Sequence, residues 1–432
     1  MTDRMLIIAD DLTGAADSGL ACALHGVRTL ILLNSSDESI EGWKELESNG
    51  VLSFDANTRG LSSGHASVIV HELIRRFDKN SSALLFKKVD STLRGNVAAE
   101  IAAALRVRRA LGSPRNKIVA LLAPAFPAYG RITIQGRLLL QERFLERADM
   151  WQQEAFSPRS DIAEILCGAG LTSGTIDLSI LRSEERALQD AMLRLINEVD
   201  VIICDAETDE DLRAIAVASM VLDRRSVWAG SAGLAAHIPP AAGIPRQMGK
   251  TTLPSFDAGP TLFLVGSFAP ISQEQARQLA MSSSVFSLII PYQLMLDDQG
   301  SESRQELSCA IANHLERCDD VLLALDSADR CSNDQGLRLT RSLAQTIKPF
   351  AATIGALVAT GGETARAIMD EWNIQRLEVL GEVETGVALS RPVNWSRNIP
   401  VITKAGGFGT PETLVHCRRF LQDLKRVNPS HI

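Results

Sequence analysis

Short, continuous apolar runs alternate along this chain with longer stretches in which apolar residues recur at helical spacing. In the first half the runs are residues 5–10 (MLIIAD), 29–33, 51–55, 83–88, 117–123, 200–206 and 226–230. Runs rich in Val, Ile and Leu with no polar alternation predict strands buried on both faces, as parallel sheets require. Helical periodicity falls between them, at Ala15–His25, Ser67–Arg76, Val97–Arg108 and Asp209–Leu222. A second series of runs occupies 261–266, 286–292, 320–325, 355–359, 377–383 and 400–405, with helices predicted at Gln273–Met281, Thr364–Trp372 and Pro411–Leu424. Between the series, residues 239–260 hold five prolines and no periodic apolar face, which predicts a linker. The expected fold class is α/β, with two α/β domains built on mainly parallel sheets flanked by helices. The boundaries are 1–240, a linker at 241–260, and 261–432.

In open α/β sheets ligands bind beyond the carboxyl ends of strands, so the polar residues there are the candidates. The first strand ends in Asp10-Asp11 and turns through Thr13-Gly14 into a helix. Strand alternation predicts that only one of these carboxylates faces a ligand. Either could accept a hydroxyl proton, and either could merely cap the helix. The strand at 83–88 runs into Lys87, Lys88, Val89, Asp90, Ser91, Thr92 and Arg94 ahead of Gly95, a mixture of cations and hydroxyls suited to a carboxylate or phosphate. Arg59 and Arg131 follow strands in the same way.

In the second half three glycine turns follow strands: GSFAP at 266–270, TGGET at 360–364 and KAGGFG at 404–409. Glycine lets backbone approach oxygen atoms closely, and helix N-termini offer N–H groups to phosphate. Three such turns in one domain point to a nucleotide phosphate site.

Other motifs fail on context. Gly243 to Thr251 resembles a phosphate-binding loop but has five residues between its glycines, follows no strand and precedes Pro254. GAGLTSG at 168–174 misses the dinucleotide fingerprint. GSAGLA at 230–235 reads as tight packing at a strand–helix junction. The seven histidines form no metal-ligand spacing, and the metal ligands stay unassigned.

Charge and composition narrow the classes further. The net charge of −8 and the 5% aromatic content argue against a nucleic-acid partner. Seven scattered cysteines without a C-x-x-C predict a reducing compartment, and no run suits a membrane span or a cleaved leader. The expectation is a cytoplasmic protein with no membrane partner. Homo-oligomerisation is left open.

Taken together, IADDLTGAADSG, KKVDSTLRGN, GSFAP, TGGET and KAGGFG resemble the four-carbon acid sugar kinases in order and across both halves. The resemblance implies an amino-terminal acid-sugar domain and a carboxy-terminal ATP domain, with the active site in the interdomain cleft. It implies phosphorylation of a terminal C4 hydroxyl, with D-threonate the first choice and 3-oxo-tetronate, L-threonate or erythronate the alternatives. Carried over, Asp11, Arg59, Lys87, Lys88, Val89, Asp90, Ser91 and Arg94 would contact the acid. Ser267, Thr360, Gly361, Gly362, Glu363, Thr364, Gly406, Gly407 and Phe408 would hold ATP, with Lys404 placed nearby.

Phosphoryl transfer is mainly positioning and charge neutralisation. Expected roles are therefore Mg2+ on the ATP phosphates, Arg59 with Lys87 or Lys88 on the acid's carboxylate, and Asp11 or Asp10 as base. Closure about 240–260 would exclude water. A non-catalytic acid-sugar sensor and an ATP-dependent ligase or synthase are the competing readings.

Overall fold

The computed structural model describes residues 4–33, 46, 49–78, 82–112, 117–141, 143–144, 160–246, 253–296, 301–326 and 333–427. The chain divides into two compact units, Met1–Met248 and Gly249–Ile432. The helix Ala232–Ala241 carries Pro239 and Pro240 in its last turn, where their carbonyls accept bonds from Ile244 and Gly243 and where Ile238 and Pro239 are buried. Residues 247–252, which include Gly249, Lys250 and Thr251 of the rejected loop motif, lie outside the described residues.

The strands of the first unit are β1 (Arg4–Ala9), β2 (Thr29–Leu32), β3 (Gly50–Asp55), β4 (Leu84–Lys88), β5 (Val119–Ala123), β6 (Arg131–Ile134), β7 (Arg137–Leu140), β8 (Arg143–Phe144), β9 (Ser173–Ile176), β10 (Val201–Cys204) and β11 (Ser226–Gly230). Its main sheet runs β2-β3-β1-β4-β11-β5-β10-β9, and every pairing in it is parallel. Residues such as Met5, Ile7, Phe86, Leu121 and Trp228 are fully enclosed beneath the helices, which is why these strands carry no polar alternation. β6, β7 and β8 form a separate antiparallel sheet that the sequence reading did not contain.

The strands of the second unit are β12 (Thr261–Val265), β13 (Val285–Ile290), β14 (Asp320–Leu325), β15 (Ala356–Thr360), β16 (Arg376–Glu384), β17 (Val387–Pro392) and β18 (Val401–Lys404). The order is β13-β14-β12-β15-β18-β17-β16, parallel as far as β18 and antiparallel through β17 and β16. The sheets are thus mainly parallel, as predicted, with one antiparallel edge. Among the described residues no helix is long and apolar enough to cross a membrane.

Both units share one topological property. The chain reverses its winding around β1 in the first and around β12 in the second, and ligands favour such switch points.

Candidate functional site

In the first unit, β3, β1 and β4 are neighbours, with Ala9 level with Asp55 and Ile8 with Lys87. This register brings together the three segments that carry Asp10-Asp11, Arg59 and Lys88 to Arg94. Arg59 is the hub. Its Nε and one terminal nitrogen meet the two oxygens of Asp10 at 2.8 and 3.0 Å, and the other terminal nitrogen meets Asp11 Oδ2 at 2.5 Å. Asp90 lies 3.7 Å from the same guanidinium.

Asp10 and Asp11 therefore converge on one group, against the expectation that they point apart. The strand ends at Ala9, so alternation no longer governs the next two residues, and Asp11 takes the helix N-cap position. There it accepts the Gly14 N–H at 2.7 Å. Burial works against the Asp10 charge, but Arg59 and Lys87 hold its carboxyl below the ordinary value. For Asp90, burial is again the opposing influence, and Arg94 and Arg59 outweigh it, leaving the carboxyl well below the usual range. Arg94 grips Asp90 in a fork at 2.9 and 3.0 Å, and Thr92 donates its hydroxyl to the same carboxylate. Ser91 accepts a bond from Arg131.

The adjacent lysines part company because neighbouring strand residues face opposite ways. Lys87 is buried beneath the sheet end, where its ammonium meets Glu100 at 2.8 Å and also donates to the carbonyls of Ile8 and Lys88. The ammonium of Lys87 is thus already engaged, in contrast to that of Lys88. Val89 is buried and donates its N–H to Gly230. The ammonium of Lys88 is left with no hydrogen bond or ion pair among the described residues. Its ammonium lies over Gly14, where a Cβ would stand 3.1 Å from Lys88 Nζ and 2.9 Å from Asp11 Oδ1.

One carboxylate of this cluster was missed. Asp17, on the helix Leu12–Leu24, lies within the electrostatic reach of Lys88, Asp11, Arg131 and Arg59. Its sequence signal was the three-residue step from Gly14, which sets both positions on one helix face.

Asn96 caps nothing. Its amide donates instead to the carbonyls of Thr58 and Leu61, tying the Arg59 loop to the following helix. A hollow of about 810 Å³ opens nearby and shares Thr92 and Arg94 with the cluster, but it includes neither Asp11, Arg59 nor Lys88. The convergent charges, rather than this hollow, mark the candidate site. GSAGLA is packing, as read: a Cβ at Gly230 would lie 2.5 Å from the Ala123 carbonyl.

In the second unit, β12, β15 and β18 are adjacent and parallel, with Val265 level with Thr360 and Thr360 level with Lys404. Their carboxyl ends release the three glycine turns side by side. Gly361, with φ of 97°, precedes the helix Gly362–Glu371 and donates its N–H to the Lys404 carbonyl at 3.0 Å. Its conformation is one that a side chain would strain. A Cβ on Gly406 would fall 2.0 Å from Ser267 Oγ, and one on Gly266 would fall 1.9 Å from Thr364 Oγ1. Ser267, Gly361, Thr364 and Gly406 thus form one tight group, while Gly407 faces open space. Phe408 is buried, and its carbonyl accepts a bond from Gln275 at 3.0 Å. Lys404 is buried with an ammonium that has no hydrogen-bond partner, and burial pushes it down to about 8 despite Cys417 and Glu384 nearby. Glycine amides gathered at one sheet edge, beside a helix N-terminus, are chemically suited to phosphate oxygens.

Comparison with known proteins agrees with both halves. Residues 5–238 match the family described as sugar-binding N-terminal domain, and residues 262–414 the nucleotide-binding C-terminal domain. A D-threonate kinase of Cupriavidus necator is 35% identical over 419 residues, covering 95% of this chain and 96% of the relative. A D-threonate kinase of Bordetella bronchiseptica is 28% identical over 420 residues, 96% and 97% of the two chains. In structure, a Salmonella typhimurium LT2 protein with a provisional tRNA synthase description aligns with a TM-score of 0.76 at 19% identity, over 96% of this chain and 99% of that one, a likeness of fold alone. With two family matches in sequence order and a relative at this identity along nearly its whole length, the chain belongs to the four-carbon acid sugar kinase family.

Proposed function

We propose that this kinase transfers the γ-phosphoryl group of ATP to the terminal hydroxyl of D-threonate, giving D-threonate 4-phosphate and ADP. The observation that carries the reading is Lys88: a nearly buried ammonium with no hydrogen bond or ion-pair contact among the described residues, beside Asp10, Asp11 and Asp90, whose oxygens Arg59 and Arg94 already occupy. An ammonium with its N–H donors unfilled in such a place suits an anionic ligand, and a small acid's carboxylate supplies the missing acceptors. Hydroxyl groups of the same ligand find acceptors in Asp11 and Asp17 and a donor in Ser91.

Arg59 then acts at one remove, holding Asp10 and Asp11 in place rather than clamping the carboxylate itself. In the second unit we assign Ser267, the amides of Gly361 to Thr364, and Gly406-Gly407 to the nucleotide phosphates. Domain roles follow: acid sugar in the first unit, ATP in the second. Among the described residues no group of three or more His, Cys, Asp or Glu could hold a metal ion. Mg2+ bound to a nucleotide takes most of its ligands from phosphate and water, so we expect it to arrive with ATP, supplying charge neutralisation there.

An ADP-release assay across both threonates, both erythronates and 3-oxo-tetronate tests the substrate, with phosphorus NMR of the product. D-Threonate should give the highest kcat/KM by at least about tenfold, as a missing or misplaced hydroxyl leaves buried polar groups unpaired. A higher value for another acid would reassign the substrate. A product other than a phosphomonoester would reject the reaction.

A further inference from the structure

Asp10, Asp11 and Asp90 have their oxygens engaged: Asp10 and Asp11 on Arg59, Asp11 also on the Gly14 N–H, and Asp90 on Arg94 and Thr92. A carboxylate that must take up a proton needs a free oxygen within reach of the reacting hydroxyl. Asp17 differs from its neighbours in this respect. Its carboxylate holds no hydrogen bond or ion pair among the described residues, and the residue is only partly exposed.

Its position is set by the helix. Gly14 and Asp17 share a face, and Gly14 contributes no side chain to it. Lys88 crosses at that gap, while Asp17 stands about 4.5 Å further along the axis. A four-carbon acid whose carboxylate rests on Lys88 spans a comparable length to its far end. The groups facing Asp17 are Lys88 from β4, Asp11 at the helix start, Arg131 at the start of β6 and Arg59 after β3.

We propose that Asp17 is the catalytic base, the group that accepts the proton of the hydroxyl being phosphorylated. The assignment rests on the kinase reading given above. The hydroxyl proton passes to an Asp17 oxygen as the substrate oxygen bonds to the γ-phosphorus, and the bond from that phosphorus to the β–γ bridging oxygen breaks to release ADP. The proton then returns to solvent. Burial pushes the Asp17 carboxyl up to about 7, with Asp11 adding to the rise and Lys88, Arg131 and Arg59 opposing it. Proton acceptors work best when so poised near the operating pH.

The test is the pH dependence of turnover in the full-length enzyme with D-threonate and ATP. Wild-type kcat should fall about tenfold per pH unit below about pH 7, as the base protonates. Asp17→Asn should lower kcat by about 100-fold or more and abolish that acid limb. The KM for ATP should stay within about threefold, and Asp17→Glu should restore part of the rate. Asp17→Ser serves as the second variant if the amide does not fold. An active wild type with an Asp17→Asn enzyme within tenfold of it, or one that keeps the acid limb, overturns the assignment. So does a loss confined to KM for the acid, which would make Asp17 a binding group. A wild type inactive on every four-carbon acid removes the kinase reading itself, and the assignment with it.

Discussion

The ammonium of Lys87 meets the carboxylate of Glu100 at 2.8 Å, with the two side chains 1% and 2% exposed. Glu100 also accepts the Thr58 hydroxyl at 2.5 Å, so the pair locks the helix Val97–Leu111 to the end of β4 and to the loop that carries Arg59. Removing one partner strands a buried charge, at a cost of about 3–5 kcal/mol. Glu100→Gln should therefore lower the midpoint of thermal unfolding sharply. Replacing both residues, as Lys87→Met with Glu100→Leu, should recover much of that loss, because a buried pair is repaid poorly against apolar packing. If Lys87 instead binds the acid directly, the double variant will bind D-threonate weakly despite regained stability, which calorimetric titration would reveal.

Much of this arrangement was legible in the sequence, for identifiable reasons. Parallel strands buried on both faces leave uninterrupted apolar runs, so the strands bearing the candidate residues were found with ends shifted by a residue or two. β17 was not, since VALSRP mixes polar residues into a strand that pairs antiparallel on both sides. The small sheet β6–β8 escaped because its segments are short and only partly buried. The residues at the switch points were readable as strand-end punctuation, but their partners were not. Nothing in the linear order shows that Arg59 would reach both Asp10 and Asp11, a contact made across neighbouring strand ends. The division of labour between Lys87 and Lys88 was half readable, since alternation requires that only one face the pocket. Asp17 was hidden by its setting: one charged residue on a helix of mostly small residues looks like an ordinary solvent-facing position.

Gly14 is the gap through which Lys88 reaches the pocket. Alanine there would gain roughly 1 kcal/mol of helix propensity. Its Cβ would nevertheless stand 2.9 Å from Asp11 Oδ1 and 3.1 Å from Lys88 Nζ, so the capping carboxylate must shift and the flexible ammonium must give way. Gly14→Ala should still fold, the gain in propensity offsetting the strained cap, while kcat/KM for the acid falls about 10- to 100-fold, through misplacement of binding groups. Unchanged kcat/KM would show that Lys88 has no part in the site.

Gly406 makes the corresponding argument in the second unit. Its missing side chain lets the backbone lie against Ser267, whose Oγ would be 2.0 Å from a Cβ there. Ser267 Oγ also accepts the Ala269 N–H at 3.2 Å, which limits how far it can turn away. Gly406→Ala should raise the KM for ATP about tenfold or more by displacing phosphate-facing groups. Affinity for D-threonate, measured without nucleotide, should hold. A parallel loss of both affinities would point to general unfolding of the chain.

Lys404 carries a cost in stability. Buried with no hydrogen-bond partner, its ammonium is pushed down to about 8 by desolvation, although Cys417 and Glu384 partly support the charge. An unfolded lysine titrates near 10.4. Below pH 8 both states are charged, and the folded state bears the whole penalty of burial. Between about pH 8 and 10.4 the folded state loses its proton first, so stability attributable to this group rises with pH and then levels off. Lys404→Met removes the penalty and should raise the unfolding midpoint at pH 7, by an equivalent of roughly 3 kcal/mol at most. That advantage should shrink as the pH rises through 10.4, because above it the wild-type lysine is neutral in both states. Residues retained at such a cost tend to serve activity. The same variant should therefore show a higher KM for ATP at pH 7, measured beside its gain in stability. A more stable Lys404→Met enzyme with an unaltered KM would mean that the buried ammonium does nothing for the nucleotide.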